Sequence, residues 1–257
     1  MEIRFVKMHG AGNDFVMIDD RSVSFPLSER DKLAAMAARG TGVGCEGVIL
    51  VQQSATADFR MRFFNPDGSE AELCGNGARC VAAFAREIGA VASDTMRFET
   101  LSGEVRAEIV GPELVRIGLP APKDLRENFV NSGVPHYIVP VADLSGVDVA
   151  GEGRRIRFSA RFAPAGTNVD FVRYRAPHEV CVRTYERGVE AETGACGTGS
   201  VAAALVGVAQ HGLSFPVTVR TAMGYDLTVD GRFDGGVFSS VTLTGPVKRV
   251  YEAVYAW

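Results

Sequence analysis

Two cysteines, Cys74 and Cys196, stand at equivalent places in two similar stretches of sequence. Each is followed by glycine, a polar residue, a second glycine and then an alanine-rich apolar run. The two cysteines lie close to half the 257-residue chain apart. Such a glycine-bearing start before a periodic apolar run is typical of a helix start, so the sequence predicts a cysteine at the beginning of two helices. The stretches read Cys74-Gly75-Asn76-Gly77-Ala78-Arg79-Cys80-Val81-Ala82-Ala83 and Cys196-Gly197-Thr198-Gly199-Ser200-Val201-Ala202-Ala203-Ala204.

A cysteine at a helix start has a distinctive chemistry. The first turn presents unpaired backbone N–H groups and the positive end of the helix dipole. We therefore expect the pKa of each thiol to fall from about 8.5 toward neutrality. We also expect the adjoining glycines to let an anionic ligand approach the backbone closely. Two such thiols suit proton exchange at a stereocentre, where one thiolate removes a proton and the opposite thiol delivers one to the other face. This chemistry requires no metal and no pyridoxal phosphate.

Two other interpretations of the cysteines stay open at this point. Both can be core residues of buried helices, since cysteine packs as a small apolar side chain. They can also form a regulated disulfide in a thiol redox switch or in a non-catalytic binding module. A single helix-start cysteine favours the core interpretation, whereas two at equivalent positions favour a paired chemical role.

The elements that must position these cysteines follow a repeated plan. Ser28 is predicted to cap a helix that stops at Gly40, with Asp31 three residues on. A second helix runs from Cys74 to Gly89, and a third from Cys196 through 210. The sequence predicts strands over 3–6, 15–18, 48–51, 59–64, 96–100, 105–110 and 115–119 in the first half, and over 137–141, 180–185, 217–221, 227–229 and 237–243 in the second.

The repeat predicts an α+β fold with two pseudo-symmetric halves, each a mostly antiparallel curved sheet around a central helix. The helix after Cys196 carries no charge on any side, as expected of a helix that a sheet wraps. Pro120 and Pro122 mark a plausible boundary between the halves. The predicted domains are therefore 1–119 and 120–247.

Composition excludes several classes of protein. The net charge of −4, with 23% charged and 46% hydrophobic residues, indicates an ordinary globular chain without a nucleic-acid-binding surface. The longest uncharged stretch has an apolar centre, 201–209, that is too short for a membrane span.

Five cysteines, an odd number, and no export signal favour reduced thiols in the cytoplasm. Cysteine and histidine spacings do not match a metal site. The stretch 42–47 matches a dinucleotide-binding fingerprint, but a strand-like run follows it where a helix is required.

Three motifs resemble the diaminopimelate epimerase family, and the resemblance runs in order over essentially the whole chain. It implies a pyridoxal-independent isomerase that interconverts LL- and meso-2,6-diaminopimelate in lysine and peptidoglycan precursor synthesis. It also implies a homodimer and a two-domain fold whose last strand, 248–257, returns to the first domain. The motifs are Lys7-Met8-His9-Gly10-Ala11-Gly12-Asn13-Asp14-Phe15, Phe64-Asn65-Pro66-Asp67-Gly68-Ser69-Glu70 with Cys74-Gly75-Asn76-Gly77-Ala78-Arg79-Cys80, and Tyr185-Glu186-Arg187-Gly188 with Ala195-Cys196-Gly197-Thr198-Gly199.

The resemblance also implies roles for individual residues. Cys74 and Cys196 match the two acid–base thiols, and His136 matches a histidine near them that, like Glu186, could tune thiol protonation. The planar fork of Arg187 suits a second carboxylate of the substrate. The positions that match substrate-binding residues are Asn13, Asn65, Gly75, Asn76, Asn168, Glu186, Arg187, Gly197 and Thr198.

One departure from the family leaves an alternative open. Relatives commonly carry asparagine before the Pro135-His136 pair, where this chain has Val134. The change removes a polar contact to the distal end of the substrate. A cofactor-independent racemase of another amino acid, using the same two thiols, is therefore the alternative function.

Overall fold

The computed structural model describes residues 1–175 and 177–257, and the chain forms two compact units. The N-terminal unit comprises Met1–Ile117 together with Gly245–Trp257, and the C-terminal unit comprises Gly118–Thr244. The chain therefore leaves the N-terminal unit once and returns to it with its last residues.

The N-terminal unit begins with a hairpin and ends with a three-stranded meander, and two helices interrupt the strands between them. Several of its strands alternate buried and exposed positions, as expected where one face of a sheet covers a core. The elements are β1 (Glu2–Gly10), β2 (Asn13–Asp19), α1 (Arg30–Ala37), β3 (Gly47–Gln52), β4 (Phe59–Phe64), β5 (Glu70–Ala71), α2 (Gly75–Glu87), β6 (Thr95–Thr100), β7 (Gly103–Gly111) and β8 (Leu114–Gly118).

The C-terminal unit has the same kinds of element in the same order, with one extra strand at its beginning. Its last strand is long enough to continue into the N-terminal unit. The elements are β9 (Lys123–Arg126), β10 (Phe129–Asn131), β11 (Pro135–Pro140), α3 (Val149–Arg157), a 3₁₀ turn (Ala160–Phe162), β12 (Asn168–Arg175), β13 (Glu179–Glu186), β14 (Ala191–Thr193), α4 (Gly197–Gln210), β15 (Val217–Arg220), β16 (Asp226–Asp234) and β17 (Val237–Ala256).

Strand pairing shows that the two units are built on one topology. In the N-terminal unit β1–β2 is antiparallel, β2–β3 parallel, β3–β4 antiparallel, β4–β6 parallel, and β6–β7 and β7–β8 antiparallel. In the C-terminal unit β10 to β13, then β15, β16 and the start of β17, pair in the same succession of directions. The predicted α+β fold with two pseudo-symmetric halves is thus confirmed, and α2 corresponds to α4.

Each unit wraps its sheet around one central helix. In the N-terminal unit α2 packs against β1, β2, β3 and β7. In the C-terminal unit α4 packs against β10, β11, β12, β13, β15 and β16, and its residues from Gly199 to Gly207 are all buried. A helix enclosed in this way has no solvent-facing side, which explains why α4 carries no charge.

The shorter helices differ from the sequence predictions. Ser28 does not cap α1, which begins at Arg30 because turns from Pro26 to Glu29 precede it, and which ends at Ala37 before Gly40 is reached. No pattern in the sequence predicted α3. Its start is capped by Asp148, whose Oδ1 accepts a hydrogen bond from the Gly151 N–H at 2.9 Å.

The end of β17 lies in the N-terminal unit. Its residues 247–256 pair with β1 in antiparallel register, from Gly10 opposite Val247 to Glu2 opposite Ala256. In the described chain, no helix is both long and apolar enough to cross a membrane.

Candidate active site

Cys74 is the N-cap residue of α2, in the N-terminal unit. Its backbone is extended, and its carbonyl accepts the first helical hydrogen bond from the Ala78 N–H at 2.7 Å. The side chain is partly exposed. The amide groups of Gly75 and Asn76 follow in the first turn, where backbone N–H groups lack helical acceptors. This geometry agrees with the predicted helix-start cysteine.

Asn13 brings the first motif of the sequence to this helix start. It begins β2, directly after a tight turn in which Ala11 and Gly12 both have positive φ. Its Oδ1 accepts hydrogen bonds from Cys74 Sγ at 3.6 Å and from Asn76 Nδ2 at 3.3 Å. Three predicted site residues are therefore joined by side-chain hydrogen bonds within one unit.

Asn65 lies farther along the same unit, in the turn that joins β4 to β5. Its side-chain Nδ2 donates to Ser69 Oγ at 3.1 Å, and its backbone carbonyl accepts from the Gly68 N–H at 2.9 Å. Gly68 has a φ of +77°, a conformation that favours glycine. The turn thus fixes the direction in which the Asn65 side chain leaves the sheet.

Cys196 caps α4 in the C-terminal unit in the same way as Cys74 caps α2. Its backbone is extended, and the Ser200 N–H donates to its carbonyl at 2.9 Å. Its Sγ accepts a hydrogen bond from the Gly199 N–H at 3.4 Å and lies 3.4 Å from Thr198 Oγ1. The helix start therefore solvates the thiol with one amide and one hydroxyl group.

A buried polar network supports the Cys196 cap. His136 on β11 and Asp170 on β12 are fully buried, and His136 Nδ1 lies 2.7 Å from Asp170 Oδ2. The other ring nitrogen, Nε2, lies 3.0 Å from Thr198 Oγ1, and Thr184 Oγ1 donates to Asp170 Oδ1 at 2.7 Å. A hydrogen-bonded path thus leads from Asp170 through the imidazole and the Thr198 hydroxyl to Cys196.

The pKa of the Cys196 thiol is raised, which contradicts the prediction of a lowered value. Burial disfavours the thiolate most, and the negative charges of Glu186 and Asp170 add to the effect. The hydrogen bonds from Thr198 and Gly199 act in the opposite direction but are weaker influences. The helix dipole is therefore outweighed, and Cys196 is a protonated thiol at neutral pH.

The second glycine of each Cys-Gly-x-Gly segment serves packing rather than ligand approach. A Cβ atom on Gly77 would lie 2.8 Å from Ile49 Cδ1, and one on Gly199 would lie 2.5 Å from Asp170 Oδ1. Both distances are shorter than real Cβ contacts, so each helix packs closer to its sheet than a residue larger than glycine would allow. The contacts also show that Ile49 and Asp170 occupy corresponding positions in the two units.

Asn168, Glu186 and Arg187 gather around the same end of the C-terminal unit. Asn168 Nδ2 donates to the Pro135 carbonyl at 3.1 Å, and Asn168 Oδ1 accepts from the Arg187 N–H at 2.7 Å. The guanidinium of Arg187 donates to the Ala165 carbonyl through Nη1 at 3.2 Å. These bonds attach the predicted distal-recognition residues to the strand that carries Asp170.

Two residues of this network were not predicted from the sequence. Asp170 and Thr184 face each other across β12 and β13, in one antiparallel pair. The available signal is alternation along β12, because Asp170 stands two residues after Asn168 and so points to the same side of the strand. A completely buried carboxylate is unusual enough to mark a functional network.

The structure also describes two other patterns of the sequence, the glycine-rich stretch 42–47 and the spacing of metal-ligating residue types. The stretch 42–47 leads into β3, so it does not form the strand-to-helix turn of a dinucleotide site. Over residues 1–175 and 177–257, no cluster of three or more His, Cys, Asp or Glu side chains is placed to hold a metal ion. Cys45, within 42–47, is buried in the core cluster of the N-terminal unit.

Comparison with known proteins finds matches over nearly the whole chain. The family model described as Diaminopimelate epimerase matches residues 5–120 and 128–250. The chain is 43% identical to the diaminopimelate epimerase of Aquifex aeolicus, with 97% of this chain and 96% of that protein covered. It is 41% identical to the diaminopimelate epimerase of Chlorobaculum tepidum, with 95% and 98% covered.

The chain belongs to the diaminopimelate epimerase family. It is accordingly an isomerase of the epimerase type, as the sequence motifs implied. The match includes both cysteine segments and the motifs around Asn13, Asn65 and Arg187, all of which fall within the matched residues.

Solved structures show the same architecture beyond the diaminopimelate epimerase family. A Bacillus anthracis phenazine biosynthesis protein of the PhzF family superposes with a TM-score of 0.76 at 17% identity, over 100% of both chains. A probable proline racemase from Agrobacterium radiobacter superposes with a TM-score of 0.72 at 17% identity, over 99% of this chain and 93% of that one. At such identities the likeness concerns the fold alone.

Proposed function

We propose that the chain interconverts LL- and meso-2,6-diaminopimelate by two-base proton transfer, with Cys74 and Cys196 as the acid–base pair. The observation that carries the proposal is that both cysteines cap corresponding helices in units of one topology. One thiolate removes the α-proton, and the other thiol delivers a proton to the opposite face. After each turnover the two sulfur atoms have exchanged protonation states, so the reverse reaction uses the opposite assignment.

The first turns of α2 and α4 are proposed to bind the carboxylate of the reacting centre. The backbone N–H groups of Gly75, Asn76, Gly197 and Thr198 lie in these turns. Removing the α-proton moves negative charge onto that carboxylate, and fixed N–H dipoles stabilise it without reorganisation. In this mechanism the thiols and the helix starts supply what a metal or pyridoxal phosphate supplies in other enzymes, so no cofactor is required.

The distal end of diaminopimelate is a second amino-acid head group, which needs partners of both charges. Arg187 is proposed to hold its carboxylate, since the planar fork forms two parallel hydrogen bonds. Asparagine oxygens accept from an ammonium group and asparagine nitrogens donate to a carboxylate. Asn13, Asn65, Asn168 and Glu186 are the proposed partners of the rest of the substrate.

His136 is proposed to tune thiol protonation. When the proton resides on Nδ1, the ring donates to Asp170 and leaves Nε2 as an acceptor for the Thr198 hydroxyl. That hydroxyl can then accept from the Cys196 thiol. Glu186 is proposed to act on the same cysteine, because its charge already raises the pKa of Cys196.

The deciding experiment is incubation with LL-diaminopimelate in D₂O, without added cofactor, followed by chiral analysis. The proposal expects meso product with one deuterium at the inverted carbon. The Cys74→Ala protein is the matched control and is expected to give neither inversion nor exchange. Absence of both from the folded wild-type protein would overturn the proposal.

A second candidate function is racemisation of another amino acid, and Val134 is the observation that favours it. This residue directly precedes Pro135-His136, so an apolar side chain occupies the position where the resemblance implies asparagine. The same D₂O assay with a panel of single-headed amino acids tests this candidate. Exchange on one of them, without any on diaminopimelate, would favour it over the epimerase.

We also propose a cytoplasmic homodimer. A reducing compartment keeps the proposed acid–base thiols reduced. On β17, Val250, Tyr251 and Val254 are all more than two-fifths exposed, which favours burial against a second copy. Light scattering of the wild-type protein and of Tyr251→Glu tests the assembly, and a monomeric wild type would contradict it.

A further inference from the structure

Arg79, on the second turn of α2, is a buried cation that has no carboxylate partner among the described residues. Its side chain is completely enclosed, and over residues 1–175 and 177–257 its buried Nε donor has no hydrogen-bond partner. Nη2 donates to Asn76 Oδ1 at 2.6 Å, and Nη1 donates to the Gly75 carbonyl at 3.4 Å. Both acceptors are neutral. An uncompensated buried charge is costly, so a residue of this kind needs a functional explanation.

Only thiols can supply the missing negative charge within the described chain. Burial lowers the pKa of Arg79, and the titratable groups whose negative charges oppose that effect are Cys80 and Cys74. Cys80 is completely buried, and burial raises its pKa to about 12, so it remains a neutral thiol. Cys74 is partly exposed at the cap of the same helix. Its thiolate is therefore the anion that Arg79 is placed to balance.

Arg79 is also attached to the first turn of α2. Its hydrogen bond to Asn76 holds the side chain that donates to Asn13, which in turn accepts from Cys74. The start of α2 packs closely on its sheet here, since a Cβ atom on Gly10 would lie 2.8 Å from the Asn76 carbonyl oxygen and one on Gly77 would lie 2.8 Å from Ile49 Cδ1. The cation is thus fixed behind the helix start and shielded from water.

We propose that Arg79 is a positioning residue whose buried charge stabilises anions at the start of α2. One anion is the Cys74 thiolate. The other is the substrate carboxylate, and this part of the inference rests on the proposed function. The corresponding helix offers no such charge, since the fifth residue after Cys196 is Val201.

Alkylation of Cys74 by two matched reagents tests the proposal without any substrate. Iodoacetamide is neutral and iodoacetate carries a carboxylate, while both attack the same thiolate. The iodoacetamide rate therefore follows the thiolate population, and the ratio of the iodoacetate rate to the iodoacetamide rate follows the local field. Both rates are measured at pH 7.5 on the Cys74 peptide by mass spectrometry, in the wild-type, Arg79→Met and Arg79→Lys proteins.

Arg79→Met is expected to lower the iodoacetamide rate about tenfold, as loss of a nearby opposite charge does, and to lower the rate ratio severalfold as well. Arg79→Lys keeps the charge and is expected to retain most of both. Arg86→Met removes a charge from the exposed side of the same helix, where Arg86 pairs with Asp94, and is expected to change neither. Cys196, measured in the same samples, is the internal control.

A folded Arg79→Met protein with unchanged rate and ratio would overturn the proposal, as would an equal change at Cys196. If Arg79→Met does not fold, Arg79→Gln replaces it, because an amide can still donate to Asn76. A ratio that is lowered in Arg79→Gln but not in Arg79→Lys supports the proposal, and a ratio unchanged in both variants overturns it. Because the assay uses no substrate, its result is independent of whether the epimerase proposal holds.

Discussion

The starts of α2 and α4 share one backbone geometry but opposite electrostatics. Beneath α2 the packing residue at Gly77 is Ile49, and the helix itself carries the buried cation Arg79. Beneath α4 the packing residue at Gly199 is Asp170, and the position that corresponds to Arg79 is Val201. The start of α2 thus has a buried positive charge beside it, whereas the start of α4 has a buried negative charge beside it.

This difference shows how a duplicated scaffold can hold two chemically identical groups in different states. A reaction that moves one proton between two thiols needs one of them deprotonated at the outset. Burial, Glu186 and Asp170 keep Cys196 protonated, whereas Arg79 favours the thiolate of Cys74. We therefore expect the resting enzyme to hold its thiolate on the N-terminal helix.

The largest expected effect comes from removing either sulfur. Cys74→Ala and Cys196→Ala should each abolish epimerisation, because proton transfer by a positioned group contributes roughly 10²- to 10⁴-fold and inversion needs two such groups. Turnover of LL-diaminopimelate is the measurement, with circular dichroism as the control for folding. Turnover near the wild-type rate in either variant would show that the two helix starts do not act as a pair.

Replacing the buried carboxylate tests the C-terminal side of the comparison. Asp170→Asn keeps the shape of the side chain but leaves one acceptor oxygen for two partners, the Thr184 hydroxyl and the proposed N–H at His136 Nδ1. We expect kcat/KM to fall roughly 10²-fold or more, within the range of acid–base contributions. The pKa of Cys196 should fall as well, since one of the charges that raise it has gone. An unchanged alkylation profile at Cys196 would contradict the proposed path.

Arg187→Lys separates distal recognition from chemistry at the thiols. A lysine ammonium cannot form two parallel bonds to a carboxylate, and the loss of a charge-assisted bond costs about 1.5–3 kcal/mol, or roughly 10- to 150-fold in kcat/KM. The loss should appear with diaminopimelate and hardly at all with a slow substrate that lacks a distal carboxylate. An equal loss on both substrates would place Arg187 at the reacting centre or in the fold.

The smallest effect concerns stability at alkaline pH. Burial raises the pKa of Cys80 and of Cys196 above that of an unfolded cysteine, which is about 8.5. Their stabilising contributions are therefore complete below pH 8.5 and are lost as the pH rises toward the folded values. Each thiol adds up to about 1.4 kcal/mol per pH unit to the fall in unfolding free energy.

Denaturant titrations between pH 7 and 11 measure that slope. Cys80→Ala and Cys196→Ala should each show a shallower alkaline decline than the wild type, whatever packing energy they lose at pH 7. Identical slopes in wild type and variants would mean that these thiols ionise as easily in the folded chain as in the unfolded one.

Local patterns made the main elements predictable from the sequence. Apolar periodicity and the glycine pairs identified the two central helices and their cysteine caps, and the repeated motif identified the duplicated α+β fold. The pKa of Cys196 was predicted in the wrong direction because helix-start chemistry is local, whereas burial and the charge of Asp170 arise from pairing between distant strands. The burial of Arg79 was equally invisible, since an arginine in an amphipathic helix is normally a surface residue.

Helix α3 was not predicted for a different reason. Two glycines and three arginines hide its periodicity, yet Gly153 is needed because a Cβ there would lie 2.4 Å from Tyr185 Cβ. Propensity argues against this helix and packing in the C-terminal unit overrides it. The start of α1 was misplaced for the usual reason that helix ends are set by turn geometry as well as by capping residues.

The long strand β17 has a consequence for how the protein is made. Its first part completes the C-terminal unit by pairing with β16, and its last part is the partner of β1. During synthesis the continuous segment Gly118–Thr244 can fold as soon as it has left the ribosome. The segment that was made first must instead wait, with β1 lacking one neighbour, until residues 245–257 emerge and close a loop of more than two hundred residues. We therefore expect the unit that holds Cys74 to be completed after the other, although most of it is translated first.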